Sequence, residues 1–115
     1  MLLILLVEDD ELMRAITAEM LDELGHQVIQ ADSARAAMQM LSEHDIDVLV
    51  TDVGLPDVSG EIVAAEARSI RPRLRIVFAT GGNVVREVDQ DDSSPVLLRK
   101  PYDSDALAAA IAKAR

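Results

Sequence analysis

The 115-residue sequence has no cysteine and no tryptophan, and Phe78 and Tyr102 are its only aromatic residues. Without cysteine there is no disulfide framework and no thiolate metal centre. With so few rings, the core must be packed by Leu, Val, Ile, Ala and Met. Basic residues are scarce as well: 11 Lys and Arg stand against 21 Asp and Glu, for a formal charge of −10. That balance argues against nonspecific binding to nucleic acid or to an anionic membrane surface. The opening run MLLILLV is far too short to span a bilayer. It has no basic stretch before it and acids directly after it, so it does not read as a signal peptide. Repeats, low-complexity tracts and linkers are missing too. The expectation is a cytoplasmic chain forming one globular domain, residues 1–115, with almost no extension ahead of its first strand.

What is present is a strand–helix alternation repeated about five times. Leu2 to Val7 is an unbroken apolar run of strand length, the pattern of a strand covered on both faces. The spacing predicts a helix over 11–25, with Met13, Ile16, Met20 and Leu24 inward, Asp10 as its cap and Gly25 as its stop. HQVIQA is a weaker strand. DSARAAMQMLSEH is a second helix with Ala36, Ala37, Met40 and Leu41 inward, capped by Asp32 or Ser33. IDVLVTD, LRIVFAT and PVLLRKP are further strands, and EIVAAEARSI and DSDALAAAIAKAR further helices. Connections of this length between buried strands imply a parallel sheet with helices on both faces. Between Thr80 and Pro95, only Val84, Val85 and Val88 offer a helical pattern, and β-branched residues form helices poorly. A short or irregular helix is expected there.

The first strand runs straight into Glu8, Asp9 and Asp10. Two like charges at ~4 Å repel by about 4 kcal/mol at an effective dielectric of about 20. Either the three side chains fan out, or a positive group sits among them. In an open α/β sheet, ligands bind beyond the carboxyl ends of the strands. The conspicuous polar residues fall at those ends: Glu8 and Asp9 after the first strand, Asp52 after the third, Thr80 after the fourth and Lys100 after the fifth. Three carboxylates there would make a hard-oxygen site suited to Mg²⁺. Asp10 is better placed as a helix cap. Asp57 and Ser59 read as loop and cap residues, Gly60 as a turn or close-packing glycine, His26 and His44 as exposed, Tyr102 as a partly exposed packing residue, and the methionines at 13, 20, 38 and 40 as core filler.

LLVEDDELMR, VLVTDVGLPDVSG, IVFATGG and LLRKPYD, in this order at successive strand ends, resemble the receiver domain of two-component response regulators. The resemblance covers the whole chain, and RKP is the most telling motif because it pairs a cation with the acids. It implies a doubly wound, flavodoxin-like α/β fold with strand order 2-1-3-4-5. It also implies a phosphoacceptor, Asp52, taking a phosphoryl group from the phosphohistidine of a sensor kinase or phosphotransfer protein. Mg²⁺ would be held by Glu8, Asp9, Asp52 and the backbone carbonyl of Gly54. Lys100 and Thr80 would contact the phosphoryl oxygens, and the Lys100–Pro101 peptide would be cis. Output would pass through contact with a downstream protein, not nucleic acid or membrane, with monomer and weak homodimer both open.

Two features depart from the family pattern. Leu97 stands where an aromatic switch residue is common, three before the lysine. The segment between Thr80 and Lys100 is also shorter than usual by about half a helical turn. FATGG and PVLLRKPYDSDALAAAI look most like receivers of hybrid sensor kinases. Two other functions compete. An aspartyl-phosphate phosphatase of the haloacid dehalogenase type needs a second Asp two residues after the nucleophile, where Gly54 stands. A phosphorylation-independent binding module would have no need of the acid, hydroxyl and lysine positions that are all filled here.

Overall fold

The computed structural model describes residues 2–81 and 96–114. Elements follow one another as β1 (Leu3–Val7), α1 (Glu11–Glu23), β2 (Gln27–Ala31), α2 (Ala34–Glu43), β3 (Val48–Asp52), α3 (Gly60–Ile70), β4 (Arg75–Thr80), β5 (Val96–Arg99) and α4 (Ser104–Lys113). All strand pairs are parallel, in the order β2-β1-β3-β4-β5. The helix considered at Val84 to Val88 falls outside the described residues.

Successive side chains on a strand point to opposite faces, and here both faces are covered. Leu5, Val7, Leu49, Ile76 and Phe78 pack against Ala37 and Leu41 of α2 and Val63 and Ala67 of α3. Ile4, Leu6, Val48, Val50, Val77 and Leu98 pack against Ala18 and Leu21 of α1 and Leu107, Ala110 and Ile111 of α4. This explains the unbroken apolar runs of β1, β3 and β4, which need nonpolar side chains on both sides. Each fully buried Leu, Ile or Val contributes about 1.5–3 kcal/mol. The edge strands β2 and β5 are shielded less, and Leu97 is exposed.

Four helix starts carry side-chain caps: Asp10 accepts from Met13 N–H (3.0 Å), Ser33 from Ala36 (3.1 Å), Ser59 from Glu61 (3.1 Å) and Asp103 from Ala106 (2.8 Å). Ser33, not Asp32, is thus the cap of α2. Gly25, just after α1, takes φ +90°, a conformation that suits glycine.

The inward stripe of α1 differs from the sequence expectation. Thr17, Ala18 and Leu21 are buried, whereas Ile16 is 40% and Leu24 36% exposed. Met13 and Met20 are half-buried. The helix has apolar residues on more than one side, so periodicity alone did not select the phase. A threonine on the buried side hid the true one.

Candidate functional site

Parallel pairing puts the carboxyl ends of all five strands on one edge of the sheet. Register then aligns them: Val7 lies beside Thr51, Asp52 beside Ala79, and Thr80 beside Arg99. The chain leaves β1 and β3 toward opposite sides of the sheet, making a crevice between them, the place where such folds hold ligands. Glu8, Asp9 and Asp52 meet there, with one carboxylate oxygen from each within 4.8 Å of the others.

The three consecutive acids do fan out, and a cation does sit among them. Glu8 turns inward, only 4% exposed, and its Oε1 accepts from Lys100 Nζ at 2.7 Å. Its Oε2 accepts from the Asp10 N–H at 3.3 Å. Asp9 faces solvent, and Asp10 turns away to cap α1. Lys100 Nζ also donates to Asp52 Oδ2 at 3.2 Å, so one ammonium bridges two strand ends. Burial raises the Glu8 carboxyl above its ordinary value, outweighing the hydrogen bond and charge of Lys100, and the Asp52 charge pushes in the same direction. Burial acts to lower Lys100, but the hydrogen bond to Glu8 and the charges of Asp52 and Glu8 prevail and raise it. The lysine therefore stays cationic and offsets the carboxylate cluster.

Asp52 is set by the turn that follows it. Its Oδ1 accepts from the Gly54 N–H at 3.2 Å, and Gly60 N–H donates to the Val53 carbonyl at 2.9 Å, folding the loop back over the end of β3. Gly60 lies so close that a Cβ there would collide with the Asp52 carbonyl oxygen. Thr80 is half-buried at the end of β4, one residue beyond the partner of Asp52, and its carbonyl accepts from the Lys100 N–H at 2.8 Å. The Lys100–Pro101 peptide is cis, as expected. All the acid, hydroxyl and lysine positions singled out in the sequence thus reach one rim, and Gly54 adjoins it through its N–H.

Other residues shape the rim that do not read as site residues in the sequence, where Asp57 reads as a loop residue and Tyr102 as a packing residue. Arg14 Nη1 donates to the Glu8 carbonyl at 2.9 Å, steadying the acidic turn. The Asp57 carboxylate accepts from the N–H groups of Ala34 and Arg35, both at 3.0 Å, tying the loop after β3 to the start of α2. The Ala34 N–H is the main reason its carboxyl sits below the ordinary aspartate value. Thr17 Oγ1 and the Tyr102 hydroxyl lie 2.7 Å apart and share a hydrogen bond. An Asp in a Pro-containing loop is a turn signal, but the helix it caps lies 23 positions away. Nothing local pointed to the Thr17–Tyr102 pair.

The response regulator receiver domain model matches residues 4–112. CpdR, a response regulator receiver protein of Brucella abortus, is 34% identical over 102 residues, covering 86% of this chain and 84% of CpdR. Two further curated relatives are much longer, and the chain spans only 24% of each. Among solved structures, the receiver domain of the hybrid histidine kinase CckA has a TM-score of 0.82 at 26% identity, covering 96% of both chains. That similarity bears out the likeness to hybrid-kinase receivers. TrrA of Thermotoga maritima, solved in complex with Mg²⁺ and BeF, has a TM-score of 0.86 at 25% identity, covering 98% of both. Among the described residues, no helix is long and apolar enough to cross a membrane. With the family's sheet order, its polar residues at successive strand ends and a match over nearly its whole length, the chain belongs to the response regulator receiver domains, the phosphoacceptor modules of two-component systems.

Proposed function

We propose that residues 1–115 act as a single receiver domain in which Asp52 is the phosphoacceptor. A carboxylate oxygen of Asp52 attacks phosphorus on a phosphohistidine. The P–N bond breaks, its electron pair returns to the imidazole, and an acyl phosphate remains on Asp52. Attack by water on phosphorus later releases inorganic phosphate and restores the carboxylate. The domain itself promotes both steps. Phosphoryl transfer demands positioning and charge neutralisation more than covalent help. In this reading Lys100 pairs with a phosphoryl oxygen as a point charge, and the Thr80 hydroxyl hydrogen-bonds another. Movement of Thr80 toward the phosphoryl group would draw the following segment with it, altering a protein-binding face.

The observation that carries the reading is the convergence of Asp52 with Lys100, Glu8 and Asp9 in one crevice. The donor set suits a hard divalent cation: three carboxylate oxygens within 4.8 Å of one another, two of the side chains still partly open to solvent. Glu8, Asp9, Asp52 and the Gly54 carbonyl would hold Mg²⁺, and the Mg²⁺–BeF complex of the similar TrrA supports that choice. When bound, the ion would offset the repulsion between the anionic donor and the anionic nucleophile. The partners are a sensor histidine kinase or phosphotransfer protein upstream and a protein target downstream.

Incubation with Mg²⁺ and acetyl phosphate, followed by intact mass measurement, tests this. One added phosphoryl group, lost in Asp52→Asn and with EDTA, is expected. Continuous turnover of a phosphate ester would favour the phosphatase reading instead. No adduct from acetyl phosphate or from a phosphorylated kinase would overturn the proposal.

A further inference from the structure

The reaction described above depends on where the Lys100 ammonium sits, and lysine is a poor choice for holding a position. Its flexible four-carbon stem allows the ammonium many rotamers. Its backbone leaves β5, an edge strand with a single neighbour, β4. On one side the Lys100 N–H is anchored to the Thr80 carbonyl at 2.8 Å. On the other side, two residues on, stands Tyr102, half-buried against the apolar cluster shared by α1 and α4. Its hydroxyl meets Thr17 Oγ1 at 2.7 Å, across 85 positions of sequence. Thr17 is 1% exposed, on the inward side of α1. That helix begins directly after Glu8, Asp9 and Asp10. The bond therefore joins the segment that carries the cation to the element that continues from the acids. Burial holds the phenol above the ordinary tyrosine value, so it stays un-ionised at neutral pH.

We infer that Tyr102 and Thr17 are positioning residues for Lys100, their shared hydrogen bond setting the ammonium against Glu8 and Asp52. This rests on the phosphoacceptor reading for its consequence in the reaction, though the placement of the ammonium is a matter of structure alone. The bond itself adds little to stability, because folding exchanges it for hydrogen bonds to water. A misplacement of about 1 Å at a reacting group can cost roughly 100-fold in rate. Loss of the hydroxyl is thus a small perturbation of the fold and a larger one of the chemistry.

The test uses Tyr102→Phe and Thr17→Val, which keep shape and remove the hydroxyl, and Thr17→Ser, which keeps it. With acetyl phosphate and Mg²⁺, Tyr102→Phe and Thr17→Val are each expected to lower the maximal rate of Asp52 phosphorylation by roughly tenfold, with donor half-saturation little changed. The double variant is expected to be no slower than either single one, and Thr17→Ser to recover most of the rate. A general loss of packing would instead lower the melting temperature and give effects that multiply. In parallel, NMR of the lysine side-chain nitrogens reads placement without any phosphorylation: in Tyr102→Phe the Lys100 signal is expected to shift while that of Lys113 stays put. An unmoved Lys100 signal, or a Tyr102→Phe rate equal to wild type, overturns the inference. A wild-type protein that forms no adduct while its Lys100 signal responds to Tyr102→Phe would refute the phosphoacceptor reading and leave the positioning role standing.

Discussion

Replacing Gly60 by Ala adds a single methyl group where the structure leaves no room for one. An ideal Cβ at Gly60 would overlap the Asp52 carbonyl oxygen, and it would lie 3.0 Å from the Asp52 carbonyl carbon and 3.1 Å from Thr51 Oγ1. These atoms cannot retreat cheaply. β3 is hydrogen-bonded to β1 on one side and β4 on the other. The start of α3 must move instead, against its Ser59 cap and the Gly60–Val53 hydrogen bond. Overpacking of this kind costs about 1–3 kcal/mol, and more where backbone must shift. The better helix propensity of Ala returns at most about 1 kcal/mol, less at a helix start. A net loss of about 2–3 kcal/mol is expected. For a domain of this size that is a fall in melting temperature of roughly 10 °C, measured by circular dichroism and checked by urea unfolding. Gly54→Ala is the control: nothing lies within 4 Å of a Cβ there, so a change under about 0.5 kcal/mol is expected. Because the clash is with Asp52 itself, phosphorylation of folded Gly60→Ala by acetyl phosphate is expected to slow as well. A Gly60→Ala protein that melts with wild type and accepts phosphate at the same rate would refute the close approach and the reasoning built on it.

Three further outcomes follow from the same geometry. Asp10→Ala is expected to cost about 1 kcal/mol through loss of the α1 cap, with Mg²⁺ affinity by calorimetry almost unchanged, whereas Asp9→Ala is expected to leave apo stability intact and weaken Mg²⁺ by at least about tenfold, as for a lost metal ligand or supporting group. Lys100→Met leaves the Glu8 and Asp52 carboxylates facing each other without a cation, and breaking such a pair is expected to lower urea stability by roughly 3 kcal/mol near neutral pH. Glu8 is already raised by burial, so it binds a proton more readily folded than unfolded. Its contribution therefore favours the fold at low pH and is lost as pH rises through the window above the ordinary 4.5, and the Lys100→Met deficit is expected to shrink on acidification. Asp57 has the opposite sign: its carboxyl is held below the ordinary 3.8, so its stabilisation is present above that value and lost as pH falls through the folded one. The stability gap between wild type and Asp57→Ala, followed by urea unfolding from pH 7 downward, is expected to hold above pH 3.8 and close below it; a gap that stays constant to low pH would show that the Ala34 and Arg35 bonds do not depend on the charge.

Much of the architecture was legible in one dimension because the relevant forces act over a few residues. Unbroken apolar runs marked strands buried on both faces, Asp10 and Ser59 read as cap residues, and Ser33 was one of two candidates for the cap of α2, whereas the Asp103 cap of α4 emerged only from the structure. Placing Glu8, Asp9, Asp52, Thr80 and Lys100 at strand ends sufficed to bring them to one rim, since in a parallel sheet every carboxyl end lies on the same edge. Tertiary structure alone decided the rest. Which acid turns inward depended on where the Lys100 ammonium arrives, so Glu8 is buried and Asp9 is not. The phase of α1 depended on a threonine whose hydroxyl is satisfied by a tyrosine 85 positions away. The Asp57 cap likewise joins segments brought together by the order of strands, and the contact beneath Gly60 depends on how the loop after β3 folds back over Asp52. Periodicity encodes which side chains prefer burial; it carries no distance between residues from different strands and helices, and that distance determines which polar groups find partners.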